Sequence, residues 1–243
     1  YNSGTTLLSR MLARHPGIAA LPSEGVRLTD GLPRPEEFGW NRMWCRCLDR
    51  VRLAVDPGAA QRAGRIKRQW SLLYPRSAAN LLEKSVANTA RIPFLQQFFQ
   101  PAFFVYIIRN GYAVAEGIRR KALPGKWGNP DYPERYPIEL CAEQWRASDD
   151  LVEADRVHTE RFLRVSYEEL TGSPEATAAK VTDFLGLEPL PEGVLRSRWR
   201  IHDAEGEIRN MNRDSIGRLS ADDIAAIDRV AGEALARNGY QAE

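Results

Sequence analysis

Apolar positions spaced three and four apart alternate along this chain with short continuous apolar runs, a pattern of helices alternating with buried strands. Leu7, Leu8, Met11 and Leu12 form the first stripe and predict a helix over residues 5–14, stopped by His15-Pro16-Gly17. Short apolar runs predict strands over residues 18–21, 80–85, 103–108 and 162–166. The run Phe103-Phe104-Val105-Tyr106-Ile107-Ile108 is apolar on both alternating faces, as a central parallel strand requires. Helical periodicity returns over residues 88–99, 112–121, 138–158, 174–186 and 221–238, the last ended by Gly239. Two stretches break the alternation: residues 31–76, rich in Trp, Arg and Pro, and residues 123–136, a Pro- and Gly-rich loop around Trp127. The arrangement predicts an α/β fold, a three-layer sandwich on a mainly parallel sheet, as one domain over residues 1–243.

Composition narrows the function classes. Thirty-four basic residues against thirty-two acidic ones leave a net charge of +2, so no polybasic field argues for nucleic acid, and anion binding falls to local clusters. No apolar run approaches the ~20 residues of a membrane-spanning helix. Cys45, Cys47 and Cys141 fit a reducing, cytoplasmic compartment and neither a disulfide framework nor a zinc site. The oligomeric state is open.

The chemistry concentrates at the start. Ser3-Gly4-Thr5-Thr6 is a small, hydroxylated turn feeding a helix, where free backbone N–H groups, the positive dipole end and two hydroxyls suit a phosphate. The same four residues also suit an ordinary helix cap. The triphosphate-binding pattern G-x-x-x-x-G-K-[ST] is absent, because Gly4 is followed directly by Thr5 with no Lys. Three further charged groups stand at predicted strand ends, where ligands of open α/β sheets gather: Glu24, Lys84 and Arg109. Their structural alternatives are a capping acid for Glu24 and a surface ion pair for Arg109. Tyr167, at the fourth strand end, suits sheet-edge packing as well as a ligand.

Ser3-Gly4-Thr5-Thr6-Leu7-Leu8 followed by Arg14-His15-Pro16 resembles the 5′-phosphosulfate loop, a P-loop-like turn, of bacterial sulfotransferases that use 3′-phosphoadenosine 5′-phosphosulfate. Leu82-Glu83-Lys84-Ser85 through Ala90-Arg91-Ile92-Pro93 to Ile108-Arg109-Asn110-Gly111 resembles the central segment of that family, which is related to the carbohydrate and tyrosyl-protein types. Tyr167-Glu168-Glu169-Leu170, Phe184-Leu185-Gly186-Leu187 and Gly217-Arg218 extend the likeness over nearly the whole chain. The resemblance implies sulfuryl transfer to a hydroxyl or amine of a small-molecule or carbohydrate acceptor, without metal. It implies that Asn2 to Thr6 hold the 5′-phosphate, that Arg109, with Arg213 or Arg218, holds the 3′-phosphate, and that Tyr167 lies by the adenine. Lys84 would neutralise charge developing in transfer, and Glu24 would take the acceptor's proton, with Glu83 and His15 the next candidates for that base. The polar stretch over residues 196–218 would fold over the nucleotide, and a strand is expected before Tyr1.

Two positions depart from the family pattern. Asn2 stands where the family has Arg or Lys, and Gly117 where it has a Ser that helps hold the 3′-phosphate, with Glu116 alongside. Two rival readings follow: a small-molecule kinase of related P-loop fold, and a non-catalytic binder of nucleotides or sulfated ligands.

Overall fold

Gly4 begins the first helix from a φ of 85°, a left-handed conformation that a side chain resists. The computed structural model describes residues 1–75, 77–194, 199–201 and 204–242. Helix α1 (Thr5–Leu12) buries Leu7, Leu8, Met11 and Leu12. Strand β1 (Ile18–Ala20), the short α2 (Leu48–Val51) and α3 (Ala59–Ser71) follow, then β2 (Asn80–Leu82) and α4 (Ile92–Phe98). The central run forms β3 (Phe104–Ile108), which feeds α5 (Gly111–Lys121); α6 (Ile138–Asp155) leads to β4 (Phe162–Ser166). Beyond it lie α7 (Tyr167–Gly172), α8 (Pro174–Phe184), β5 (Trp199–Ile201), β6 (Ala204–Gly206), α9 (Asn212–Ile216) and α10 (Ala221–Arg237). Of the stretch expected to cover a nucleotide, residues 196–198 and 202–203 lie outside the described residues.

The strands pair as two parallel ladders, β1 with β2 and β3 with β4, plus an antiparallel β5–β6 hairpin. Ala20 lies opposite Leu82, and Ile108 opposite Ser166. Parallel pairing puts both carboxyl ends of a ladder on one side, so residues following β1 meet those following β2, and likewise for β3 and β4. Helix α1 packs across both ladders: its apolar face shares a cluster with Ile107 and Val165 of one and with Ile18 and Leu82 of the other. On the far side, α5, α6 and α10 bury a second core around Ala113, Ile118, Trp145, Ile227 and Leu235.

The structure shortens two expected elements for identifiable reasons. The strand expected over 80–85 ends at Leu82, because the Glu83 and Ser85 side chains turn aside to bond the backbone N–H groups of Gly25 and Val26. The helix expected over 88–99 is a 3₁₀ turn (Val86–Ala90) and then α4, which starts afresh with Pro93 in its first turn, where a residue without N–H costs nothing. Residues 31–75 become two 3₁₀ turns and two helices, with Trp44 and Trp70 buried and Arg65 and Arg68 exposed. The basic–aromatic mixture there is thus a solvated face with buried indole anchors. Burial also pushes the Cys45 and Cys47 thiols up to about 12, so neither is a reactive thiolate near neutral pH. No helix among the described residues is long and apolar enough to cross a membrane.

Candidate active site

The β1–β2 ladder brings Glu24 and Lys84 together. Lys84 Nζ lies 2.5 Å from Glu24 Oε1, with the two side chains 24% and 28% exposed. Glu24 Oε2 lies 4.0 Å from Arg27 Nε. The pair is built by its neighbours. Glu83 Oε1 accepts from the Gly25 N–H at 2.8 Å, and Ser85 Oγ accepts from the Val26 N–H at 3.1 Å, so β2's end clamps the 3₁₀ turn behind Glu24. Trp70 of α3 donates to the Gly25 carbonyl at 3.1 Å from the other side.

Those bonds take Glu83 out of contention as a base. It also accepts from the Ser85 hydroxyl and the Asn88 amide, so both oxygens are engaged. Burial raises its carboxyl pKa, and the Ser85 and Gly25 hydrogen bonds oppose that rise. His15 is likewise committed. Its Nδ1 accepts from the Gly17 N–H at 3.0 Å, and its Nε2 stands 2.9 Å from the Glu188 carbonyl, which fixes the proton on Nε2.

The β3–β4 ladder brings together Arg109 and Tyr167, each the residue after its strand. Arg109, 7% exposed as a residue, has its guanidinium carbon 4.3 Å from the Tyr167 ring centroid. Its Nη1 donates to the Asn2 carbonyl at 2.7 Å, its Nε to Asn212 Oδ1 at 2.8 Å, and its Nη2 to Ser215 Oγ at 3.4 Å. The Tyr167 hydroxyl donates to the Arg209 carbonyl and accepts from the Met211 N–H, both at 3.1 Å. Tyr167 therefore anchors the segment leading into α9 as well as flooring the Arg.

The loop over residues 2–6 joins the two halves. A Cβ at Gly4 would come within 2.8 Å of the Tyr167 ring, so the loop rests directly on that aromatic and only Gly permits it. Ser3 is buried and its hydroxyl donates to the Tyr1 carbonyl. The hydroxyls of Thr5 and Thr6 bond no group among the described residues, and α1 has neither a side-chain cap nor an acidic residue in its first turn. Its leading N–H groups are left open to a ligand.

The charge around this loop is positive. Burial lowers the Arg109 and Arg42 pKa values, and Lys121 is lowered by burial and then by Arg120, Arg42 and Arg109. Lys121 thus feels Arg120, Arg42 and Arg109 together, a local positive field that suits an anion. Glu116, 3% exposed, does not spoil it. Arg120 Nε pairs with its Oε1 at 2.8 Å, and Arg218 Nη1 lies 3.6 Å from its Oε2.

Arg213 lies on the exposed face of α9 and makes no hydrogen bond to Arg109 among the described residues; helical spacing turns Asn212 and Ser215 inward onto the guanidinium. The i, i+3 pair Asn212/Ser215 was the signal available in the sequence. Glu168 was a further omission: it accepts from the Asn110 N–H at 3.0 Å, from Asn212 Nδ2 at 2.6 Å and from the Tyr240 hydroxyl at 3.2 Å, fastening α9 and the C-terminal segment to the end of β3. Arg42, brought in from a distant loop with its Nη1 3.4 Å from Asn2 Oδ1, had no local sequence signal.

Comparison with known proteins bears on this geometry. The protein-tyrosine sulfotransferase A of Caenorhabditis elegans is 24% identical, over 98% of this chain and 64% of its own length. The chain thus spans just under two thirds of that relative. A sulfotransferase domain from the curacin biosynthetic pathway superposes with a TM-score of 0.61 at 19% identity, covering 98% of this chain and 94% of that one. The sulfotransferase domain of the Synechococcus PCC 7002 olefin synthase gives 0.57 at 23% identity, covering 94% and 90%. Both share the fold seen here. A model of the sulfotransferase family matches residues 2–192, from the loop before α1 past the end of β4, and the chain belongs to that family.

Proposed function

We propose that this protein transfers a sulfuryl group from 3′-phosphoadenosine 5′-phosphosulfate to a hydroxyl or amine of a small-molecule or carbohydrate acceptor. The observation that carries the reading is the convergence just described. A carboxylate–ammonium pair stands at one ladder end, and a buried Arg on an aromatic floor stands at the other. An open helix N-terminus, with two hydroxyls unpartnered among the described residues, connects them. Asn2, Ser3, Gly4, Thr5 and Thr6 supply backbone and hydroxyl donors for the 5′-phosphate. Arg109, with two of its five N–H donors still free, and Arg218 serve the 3′-phosphate, with Tyr167 beneath.

The donor supplies an activated sulfuryl group whose transfer leaves adenosine 3′,5′-bisphosphate. The protein's part is positioning and charge. Lys84 spends one N–H on Glu24 and keeps two for the sulfuryl oxygens as charge shifts to the departing phosphate. Glu24 Oε2 takes the acceptor's proton while Lys84 and Arg27 hold the carboxylate in place.

The test is binding. Adenosine 3′,5′-bisphosphate is expected to raise the melting temperature without metal, since a ligand selective for the folded state stabilises it. ATP is expected to bind more weakly, with or without Mg²⁺. A preference for Mg²⁺–ATP would overturn the proposal in favour of a kinase.

A further inference from the structure

Helix α3 carries cations and no acid. Among its 13 residues, Arg62, Arg65, Lys67 and Arg68 are basic and none is acidic, while Ala59, Ala63, Ile66 and Trp70 are buried. Arg62, Arg65 and Arg68 recur every third residue and so stand on neighbouring turns, where like charges repel and weaken a helix. The surroundings relieve little of this. Arg65 pairs with Asp30, but the two side chains are 60% and 53% exposed, and Lys67 Nζ lies 5.3 Å from the Phe99 ring centroid. Among the described residues, the side chains of Arg62 and Arg68 have no hydrogen bond or ion pair.

These arginines line an open groove of about 1030 Å³, near the upper end of the range for ligand sites. The segment ahead of α3 lines it too, with Asp49, Arg50, Arg52 and Asp56. Its arginines are already engaged: Arg50 lies 5.5 Å from the Phe38 ring centroid and 3.7 Å from Asp49, and Arg52 pairs with Asp155 at 2.8 Å. Carboxylates of Asp30, Glu37, Asp49 and Asp56 interleave with the cations, and no aromatic ring lines the groove. The lining is a mixture of donors and acceptors with two cations to spare.

The groove adjoins the turn that carries Glu24. Gln69 Nε2 donates to Asp30 Oδ1 at 2.9 Å, both residues lining the groove, and the next residue, Trp70, holds the Gly25 carbonyl. Only the turn Gly25–Arg27 and Leu28-Thr29 separate Glu24 from Asp30, and Arg27 on that turn lies 4.0 Å from Glu24 Oε2. None of the lining residues belongs to the residue 2–6 loop or to the β3–β4 ladder end, where the nucleotide is assigned.

We propose that this groove holds an acidic carbohydrate chain, the part of the acceptor that extends beyond the group to be sulfated. Arg62 and Arg68 take acid groups of the chain, which relieves the self-repulsion of α3, and the carboxylates accept from its hydroxyls. The mixed lining selects a sugar over an acidic peptide. A sugar offers hydroxyl hydrogens to the carboxylates as well as acid oxygens to the arginines, whereas a run of acidic side chains meets like charge from Asp30, Glu37, Asp49 and Asp56. The proposal rests on the sulfuryl-transfer reading above and adds to it the acceptor's class and the residues that hold it.

The experiment is calorimetric titration of the full chain at low ionic strength with three probes. Hexagalacturonate carries a carboxylate and free hydroxyls on every unit, maltohexaose matches its length without charge, and hexaglutamate has the charge without the sugar. Hexagalacturonate is expected to bind at least about tenfold more tightly than either, and to weaken as salt is added. Arg62→Gln/Arg68→Gln should lower its affinity about tenfold, the scale of two exposed charge contacts. The same variant should keep native affinity for adenosine 3′,5′-bisphosphate and melt no lower than the native chain, because like charges have been removed from one helix face.

Equal binding of maltohexaose, an unchanged hexagalacturonate affinity in the double variant, or a lowered melting temperature there overturns the proposal. Hexaglutamate binding as tightly as hexagalacturonate replaces the carbohydrate with an acidic peptide. A native chain that binds the bisphosphate but not hexagalacturonate overturns the groove assignment alone. Arginine-dependent binding of hexagalacturonate without binding of the bisphosphate overturns the donor reading instead.

Discussion

Glu24→Gln is expected to lower turnover by roughly 10²–10⁴, the usual consequence of losing a general base. The substitution keeps the side chain's length and its ability to accept from Lys84, which lies 2.5 Å away, so the clamped turn behind it should persist. Affinity for adenosine 3′,5′-bisphosphate should change little, because the groups assigned to the nucleotide are the residue 2–6 loop and the β3–β4 ladder end. The acidic limb of the pH–rate profile, which reports protonation of the base, should vanish with it. Near-normal turnover with that limb intact would make Glu24 a structural partner of Lys84 and no more. With Glu83 and His15 already committed to structural hydrogen bonds, the base would then have to come from elsewhere, the acceptor or solvent included.

Lys84→Met has the second largest expected effect, a fall in turnover of about 10²–10³, the range for removing one preorganised donor to developing charge. The methylene stem is nearly conserved, so the loss falls on the ammonium. Two signs separate this role from simple support of Glu24. Residual activity should depend on the leaving group, improving with a donor whose nucleotide departs more readily. The Glu24→Gln/Lys84→Met double variant should fall short of the product of the single losses, as groups acting on one transition state do. A Lys84→Met enzyme with unchanged turnover would remove the ammonium from the chemistry.

Much of this site was legible because strand ends are legible. Continuous apolar runs located β1 to β4 to within a few residues, and parallel pairing then placed whatever follows them side by side. That is why Glu24 meets Lys84 and Arg109 meets Tyr167 although each pair is separated by more than fifty positions. What was not legible has a common cause. The 3₁₀ turns at Gly25–Arg27 and Val86–Ala90 have no apolar period long enough to read, and they exist because tertiary hydrogen bonds from Glu83 and Ser85 hold the first of them. Arg213 was favoured over Asn212 and Ser215 because charge stands out in a sequence, whereas the face that α9 turns inward is set by packing against α5. Arg42 reaches the loop across forty residues, and Asn2 and Gly117 look unrelated until α5 and the loop are docked.

The central claim is that this site is built for a nucleotide carrying a 3′-phosphate, and Arg109 tests it most directly. Calorimetric titration of the native chain and of Arg109→Ala with adenosine 3′,5′-bisphosphate and with adenosine 5′-phosphate isolates that group. The account predicts a loss of about 1.5–3 kcal/mol for the bisphosphate, the usual worth of a hydrogen bond to a charged group, and a much smaller loss for the monophosphate. Equal losses for both nucleotides would contradict it, since Arg109 would then be holding the Asn2 carbonyl and α9 in place rather than reading the 3′-phosphate.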